Sequence, residues 1–134
     1  MNDFLCPKCD GHLRVGDSII FRVKNSRKQT GIILLSPLIG NYSSIKHPDF
    51  IFTEGEQLDF YCPLCHASLK SDIHENLARV VMKDEQGEYY EVYFSKIAGE
   101  HTTYATAGDK VHIEGEHAGR YTYFKLGDKF KKYF

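Results

Sequence analysis

All four cysteines of the chain lie in two C-x-x-C pairs that have similar neighbours on both sides. Residues 4–13 read F-L-C-P-K-C-D-G-H-L and residues 60–69 read F-Y-C-P-L-C-H-A-S-L, and we call each stretch a knuckle. Zn²⁺ prefers four ligands at tetrahedral corners, and a tight turn can bring two thiolates of one such pair onto one ion. The spacing therefore predicts one tetrathiolate metal site, with the ligands Cys6, Cys9, Cys62 and Cys65.

The residues inside the knuckles suit such a turn. Pro7 and Pro63 occupy positions where a fixed φ is tolerated and no N–H donor is needed. Asp10 and His66 follow the second cysteine of each pair, where a positive φ is common, and both types are enriched there among non-glycine residues. His66 also lies beside a ligand and could replace a cysteine, but the turn role is the preferred interpretation.

Two other uses of the cysteines are less consistent with the sequence. A disulfide framework is typical of short secreted chains, whereas this sequence begins M-N-D-F-L-C-P, without the basic and apolar regions of a secretory signal. A thioredoxin-like redox motif needs a single C-x-x-C beside a βαβ pattern. We therefore expect reduced, metal-bound cysteines and a cytoplasmic location.

The pattern C-P-x-C…C-P-x-C resembles that of the zinc-ribbon and rubredoxin-like superfamily, over the two knuckles and, loosely, the hairpins beside them. The resemblance implies a β-hairpin at each knuckle and an ion closed off from substrate. Rubredoxins hold iron in the same ligand set and transfer electrons. This chain lacks glycine after each second cysteine and has 52 residues between Cys9 and Cys62, which is long for a compact rubredoxin. Zinc is therefore the expected ion and iron the alternative.

Composition limits the remaining possibilities. The 134 residues suggest one domain, and a hydrophobic content of 42% is ordinary for a globular protein. No apolar run approaches the length of a membrane span. The net charge of −1 gives no overall attraction to nucleic acid or anionic lipid.

The segment 18–35 contains the best candidate for nucleic-acid contact. Apolar and polar residues alternate over 18–24, a polar turn follows, and 32–35 is more apolar, so we predict a β-hairpin. Its end, which we call the basic tip, carries four cations that could neutralise phosphates: Arg22, Lys24, Arg27 and Lys28. The alternative is an ordinary solvated turn.

The rest of the sequence is rich in turn signals between short apolar stretches. We predict a loop over 37–48, a hairpin of 49–53 with 57–61, and a short helix over 71–77 capped by Asp72. Further predicted strands are 78–83, 88–96, 102–106, 111–114 and 120–126, followed by a basic aromatic tail over 128–134.

These elements predict a mainly β fold: a zinc ribbon with β-hairpins packed on an antiparallel β meander or small barrel, with one short helix at most. We expect a ribbon half (1–75) and a β half (76–134) packed as one unit. Both faces of 88–96 are largely apolar, so one face needs a cover from the ribbon half or from a second copy, which would make a homodimer.

Three histidines in the β half, His101, His112 and His117, could form a second metal site, although solvated turn residues are the simpler interpretation. No catalytic motif is present, all thiols are assigned to the ion, and a tetrathiolate ion has no open position. We therefore expect a small zinc-ribbon binding module, more consistent with a non-enzyme, whose partner is a protein or, alternatively, a nucleic acid. The other interpretations are a rubredoxin-like iron protein in electron transfer and an enzyme that uses the histidine-rich β half.

Overall fold

A computed structural model describes residues 2–108 and 110–117, and it contains ten β-strands and no helix within these residues. The predicted mainly β class is therefore confirmed. The strands are β1 (Asp3–Leu5), β2 (Arg14–Val15), β3 (Ser18–Lys24), β4 (Thr30–Leu35), β5 (Ser44–Lys46), β6 (Asp59–Tyr61), β7 (Leu77–Lys83), β8 (Tyr89–Ser95), β9 (Thr103–Ala107) and β10 (Lys110–Glu114).

The strands form two antiparallel sheets of five strands each. The ribbon sheet has the order β2-β3-β4-β5, and β6 also pairs with β3. The meander sheet has the order β1-β7-β8-β9-β10, so the first strand of the chain joins the predicted meander instead of the sheet that holds the other ribbon strands. Over the part of the chain that the structure describes, neither sheet closes into a barrel.

Alternation along β3 gives the ribbon sheet an inner and an outer face. Ile19, Phe21 and Val23 are buried, while the residues between them are only partly buried. Phe21 lies opposite Ile33 of β4 and Val23 lies opposite Phe60 of β6, so these partners share the inner face.

The meander sheet contributes the other wall of the core. Val92 of β8 lies between Val80 of β7 and Ala105 of β9, and all three are buried in one cluster with Phe4 and Phe21. The core therefore lies between the two inner faces. On the opposite face, a second cluster of Leu77, Tyr93 and Tyr104 is covered by Ile73.

The predicted helix over 71–77 was wrong. Ser71 Oγ accepts a hydrogen bond from His74 N and donates one to His74 O, at 3.2 and 2.8 Å. Such local side-chain bonds give the backbone an alternative to a helix, and the segment forms bends and turns instead.

Two further boundaries differ from the prediction. The predicted loop over 37–48 contains β5, and the predicted strand over 49–53 does not form. Its Phe50 is buried with its ring over Gly31, where an added Cβ would lie 2.5 Å from the ring. The residue therefore packs on the face of the sheet instead of pairing with its edge. The predicted strand 120–126 and the tail 128–134 lie outside the described residues.

Candidate metal centre

The two knuckles have the same backbone hydrogen bonds. In the first, Cys6 N donates to Gly11 O at 2.9 Å and Asp10 N donates to Cys6 O at 3.0 Å. In the second, Cys62 N donates to Ala67 O at 3.0 Å and His66 N donates to Cys62 O at 2.9 Å. Asp10 and His66 have φ values of 60° and 64°, as their residue types predicted.

These turns bring the four cysteine sulfurs together, with all Sγ atoms within 4.8 Å of one another. Cys6 Sγ lies 3.8 Å from Cys65 Sγ, and Cys9 Sγ lies 3.8 Å from Cys62 Sγ, so none of the four is in a disulfide. In a tetrahedron with Zn–S bonds of about 2.3 Å, neighbouring sulfurs are separated by about 3.8 Å. The cluster therefore has the dimensions needed to hold a metal ion.

Backbone N–H groups inside the knuckles point at the sulfurs. Lys8 N lies 3.3 Å from Cys6 Sγ, and Leu64 N occupies the equivalent place 3.3 Å from Cys62 Sγ. Gly11 N also donates to Cys9 Sγ, at 3.4 Å. These donors stabilise thiolates, the form of cysteine that binds metal.

Each pair contributes one buried and one exposed cysteine. Cys6 and Cys62 have no exposed surface, whereas Cys9 and Cys65 are exposed. Burial raises the pKa of the Cys6 thiol to about 12, because a buried charge loses hydration. The backbone N–H of Ala67 lowers the pKa of Cys65. A cation among the sulfurs would offset the cost of a buried thiolate at Cys6.

The knuckles are anchored in the core from both sides. The first knuckle begins at Phe4 and ends at Leu13, and the second begins at Phe60 and ends at Leu69; all four residues are buried. Leu13 N donates to Phe4 O at 2.8 Å and Leu69 N to Phe60 O at 2.9 Å, closing each hairpin. Because Phe4 belongs to the meander sheet and Phe60 to the ribbon sheet, the cluster joins the two sheets.

The basic tip has its cations in two groups. Arg22 and Lys24 lie on the outer face of the ribbon sheet, with their charged ends 5.9 and 5.5 Å from the centre of the Tyr61 ring. Arg27 and Lys28 lie in the turn after β3 and are exposed. All four therefore lie on or next to the end of the β3–β4 hairpin.

The turn of the basic tip depends on Asn25, which the sequence did not single out. Asn25 is 2% exposed, and its Oδ1 accepts hydrogen bonds from Arg27 N and Gln29 N at 3.0 Å. Its Nδ2 donates to Ile51 O at 2.8 Å. A polar residue before a turn was the only available signal, and it does not show burial.

Glu56 is a second residue that the sequence analysis missed. Its carboxylate accepts hydrogen bonds from Ser26 N and Ser26 Oγ at 2.8 Å and from Thr53 N at 3.1 Å. The hydrogen bond from Ser26 N, followed by that from Thr53 N, lowers the pKa of Glu56 to about 2. The carboxylate thus fixes the basic tip to the turn that precedes β6.

The three histidines do not form one group. His101 and His117 lie near Glu116, with His101 Nδ1 3.2 Å from Glu116 Oε1, but His112 is 2.9 Å from Glu114 Oε1 instead. His117 Nδ1 accepts a hydrogen bond from His101 N at 2.9 Å. Hydrogen bonding therefore already accounts for one nitrogen of His117 without an ion.

Comparison with protein-family models, curated proteins and solved structures finds no match to this chain. Within residues 2–108 and 110–117 there is also no helix that could cross a membrane. The geometry of the cysteine cluster is therefore the main indication of function.

Proposed function

We propose that the protein is a small zinc-ribbon binding module in which Cys6, Cys9, Cys62 and Cys65 hold one structural Zn²⁺. The spacing of the sulfurs carries this proposal, because 3.8 Å between Sγ atoms of different knuckles fits a tetrahedron of thiolates. Free thiols at this distance also suit a reducing compartment such as the cytoplasm.

The proposed ion has a structural role and no catalytic one. Four protein thiolates leave no coordination position for water or substrate. The ion would join β1 of the meander sheet to β6 of the ribbon sheet through the knuckles that begin in these strands. Its contribution would be to hold the two sheets together and to present their outer surfaces to a partner.

Exposed apolar side chains on the outer face of the ribbon sheet favour a protein as the partner. Ile32 and Ile45 are 44% and 66% exposed, and Val15 is 65% exposed at the adjoining edge of the same face. Register places Leu34 between Ile20 and Ile45, which makes a continuous apolar row across three strands. A contiguous exposed apolar patch is more informative than scattered apolar side chains and marks a contact surface.

A nucleic acid is the alternative partner, supported by the four cations of the basic tip. The dependence of binding on salt concentration tests this alternative. Four phosphate contacts give a slope of log K against log salt no steeper than about −3 to −4. Replacement of Arg27 and Lys28 by Glu should abolish such binding, and binding that survives would place the contact elsewhere.

Metal analysis of the full chain, purified without added metal, tests the ion. We expect a colourless protein with one zinc per chain. A red protein with one iron would support a rubredoxin-like electron carrier in the same ligand set. Protein that folds with neither metal would contradict both.

The partner surface is tested with paired variants and native lysate, with and without nuclease. Ile32→Ser with Ile45→Ser should remove partners captured by the wild type, whereas Arg27→Glu with Lys28→Glu should leave them. The reverse pattern, together with sensitivity to nuclease, would favour nucleic acid. Ile20→Ala, which thins the same row without adding a polar group, should weaken capture to an intermediate extent.

A further inference from the structure

The two sheets do not fill the space between them completely. A cavity of about 330 Å³ lies between their inner faces, with Phe21 and Leu35 on the ribbon side and Val92 and Phe94 on the meander side. Natural cores contain few voids larger than a water molecule. A space of this size lies within the range of about 300–1,000 Å³ that is typical of small-molecule sites.

The cavity reaches the surface between two segments of the chain. Leu38 and Gly40, which line it, are exposed, and so is Gly99 on the facing segment. The interior walls are apolar, while the polar lining residues are concentrated in 36–44 and 95–103. An apolar interior with a polar entrance is the usual arrangement of a site for a small amphipathic molecule.

A pair of hydroxyl groups lies at this entrance. Tyr42 Oη and Thr103 Oγ1 are 2.9 Å apart, and either can be the donor. The ring of Tyr42 is stacked on His101 with ring centres 4.4 Å apart, which fixes its position. Two hydroxyls have two donors between them, and their mutual hydrogen bond uses one. The other O–H is available to an acceptor atom in the cavity.

The charged residues that line the cavity already have partners. Lys96 Nζ is 3.4 Å from Asp59 Oδ1, and Glu100 Oε1 accepts a hydrogen bond from Ser95 Oγ at 2.9 Å. A charged ligand would therefore have to compete with these existing partners. The walls are also two facing sheet surfaces and not a strand edge, so they offer no backbone ladder to a peptide.

We propose that this cavity binds an uncharged small molecule that has an aromatic or aliphatic body and one hydrogen-bond acceptor at its polar end. The body contacts Phe21, Val92 and Phe94, and the acceptor takes the free O–H of the pair formed by Tyr42 and Thr103. This site is separate from the cysteine cluster and does not depend on which ion that cluster holds.

The test is a fluorescence titration of the full, metal-containing chain with 6-propionyl-2-dimethylaminonaphthalene. This probe is uncharged, has a naphthalene body and carries one carbonyl acceptor. We expect saturable binding of one probe per chain, with blue-shifted emission. Val92→Phe places a larger side chain in the cavity and should weaken binding at least tenfold. Ile51→Phe adds an aromatic ring at an exposed position that does not line the cavity, and it should leave binding unchanged.

A second variant covers the case in which Val92→Phe does not fold. Ala98 lines the cavity near its entrance and is only partly buried, so Ala98→Phe obstructs the entrance with little disturbance of the core. It should weaken binding by a similar factor. The double variant Tyr42→Phe, Thr103→Val should weaken binding several-fold and change the emission maximum, because the carbonyl loses its donor.

Three results would overturn the proposal. The first is a fluorescence increase that does not saturate. The second is unchanged binding in a folded Val92→Phe or Ala98→Phe variant. The third is loss of probe binding in the variant Ile32→Ser with Ile45→Ser, which would place the probe on the outer face of the ribbon sheet.

Discussion

The two knuckles and the basic tip are both tight turns whose backbone N–H groups point at an acceptor. In the knuckles the acceptors are sulfurs such as Cys6 Sγ and Cys62 Sγ. In the basic tip they are the side-chain oxygens of Asn25 and Glu56. In the basic tip, one acceptor belongs to the tip itself and the other to the adjacent turn. In the knuckles, four converging thiolates repel one another unless a cation lies between them. We therefore expect the knuckles, and not the basic tip, to depend on a bound ion.

The largest expected effect comes from Cys62→Ser, which removes one thiolate from the cluster. Structural zinc contributes about 10–16 kcal/mol of apparent binding free energy in small domains, which equals or exceeds a typical total stability of about 5–15 kcal/mol. The variant should lose its metal and the ordered packing of both knuckles. Metal analysis and the dispersion of amide signals measure these two effects.

His66→Asn is the matched control for this variant. It changes the neighbouring position, where φ is 64°, to another residue that tolerates a positive φ, and it should keep one metal per chain. A Cys62→Ser protein with stoichiometric metal and native-like dispersion would show that the four cysteines are not one site.

Asn25→Ala should have a smaller effect and leave the metal in place. The substitution removes three hydrogen bonds with backbone groups, from Arg27 N and Gln29 N and to Ile51 O. At about 1 kcal/mol each, the free energy of unfolding should fall by about 2–4 kcal/mol. Chemical denaturation measures it, with Gln29→Ala as the exposed control, expected to cost less than about 1 kcal/mol. Loss of metal from Asn25→Ala would mean that the two turns are coupled.

Lowering the pH should reduce the difference in stability between the wild type and Glu56→Gln, a variant with no charge at this position. Its pKa is lowered to about 2 in the folded protein, so its stabilising effect is complete above its ordinary pKa of 4.5 and is lost as pH falls towards 2. Wild type should therefore exceed Glu56→Gln in melting temperature at pH 5–7, and the difference should narrow below pH 4.5.

Zinc content measured on the same samples separates this effect from release of the ion by protonated thiols. The comparison uses only samples that retain metal. A difference between wild type and Glu56→Gln that stays constant down to the lowest metal-loaded pH below 4.5 would contradict the assignment of the low pKa to Glu56.

The smallest expected effect is that of His66→Gly in the second knuckle. A non-glycine residue with a positive φ costs about 1–2 kcal/mol, and glycine removes this cost but gains freedom in the unfolded chain. The variant should be more stable by at most about 1 kcal/mol and should bind metal unchanged. A destabilisation above 1 kcal/mol in thermal unfolding would show that the imidazole has a contact of its own in the site.

The sequence predicted the knuckles well because each is a local pattern. Both cysteine pairs, and the positive φ of Asp10 and His66, follow from residues within one turn of chain. The mainly β class also followed from alternation, as in β3. The predicted nucleic-acid and second-metal residues remain predictions, although the structure places His112 apart from His101 and His117.

The missed features depend on residues that are distant in sequence. Ser26 meets Glu56 thirty residues away, and Asn25 meets Ile51 twenty-six residues away. The wrong helix over 71–77 had the opposite cause, because the Ser71 side chain satisfied the backbone locally. Phe50 illustrates a third cause. Because Gly31 has no side chain, the Phe50 ring can pack on the face of the sheet at that position. Neither periodicity nor capping rules contain this information.

The membership of β1 in the meander sheet has a consequence for the order of folding. Phe4 pairs with Met82, so the chain must close a loop of 78 residues to add this strand. If an ion already joins Cys6 to Cys62, the loop that remains to be closed is equivalent to about 22 residues. Because the entropic cost of closure grows with the logarithm of loop length, the shorter loop lowers this cost by about 1 kcal/mol. Metal bound early would therefore raise the rate at which the first and seventh strands find each other, before it contributes anything to the finished fold.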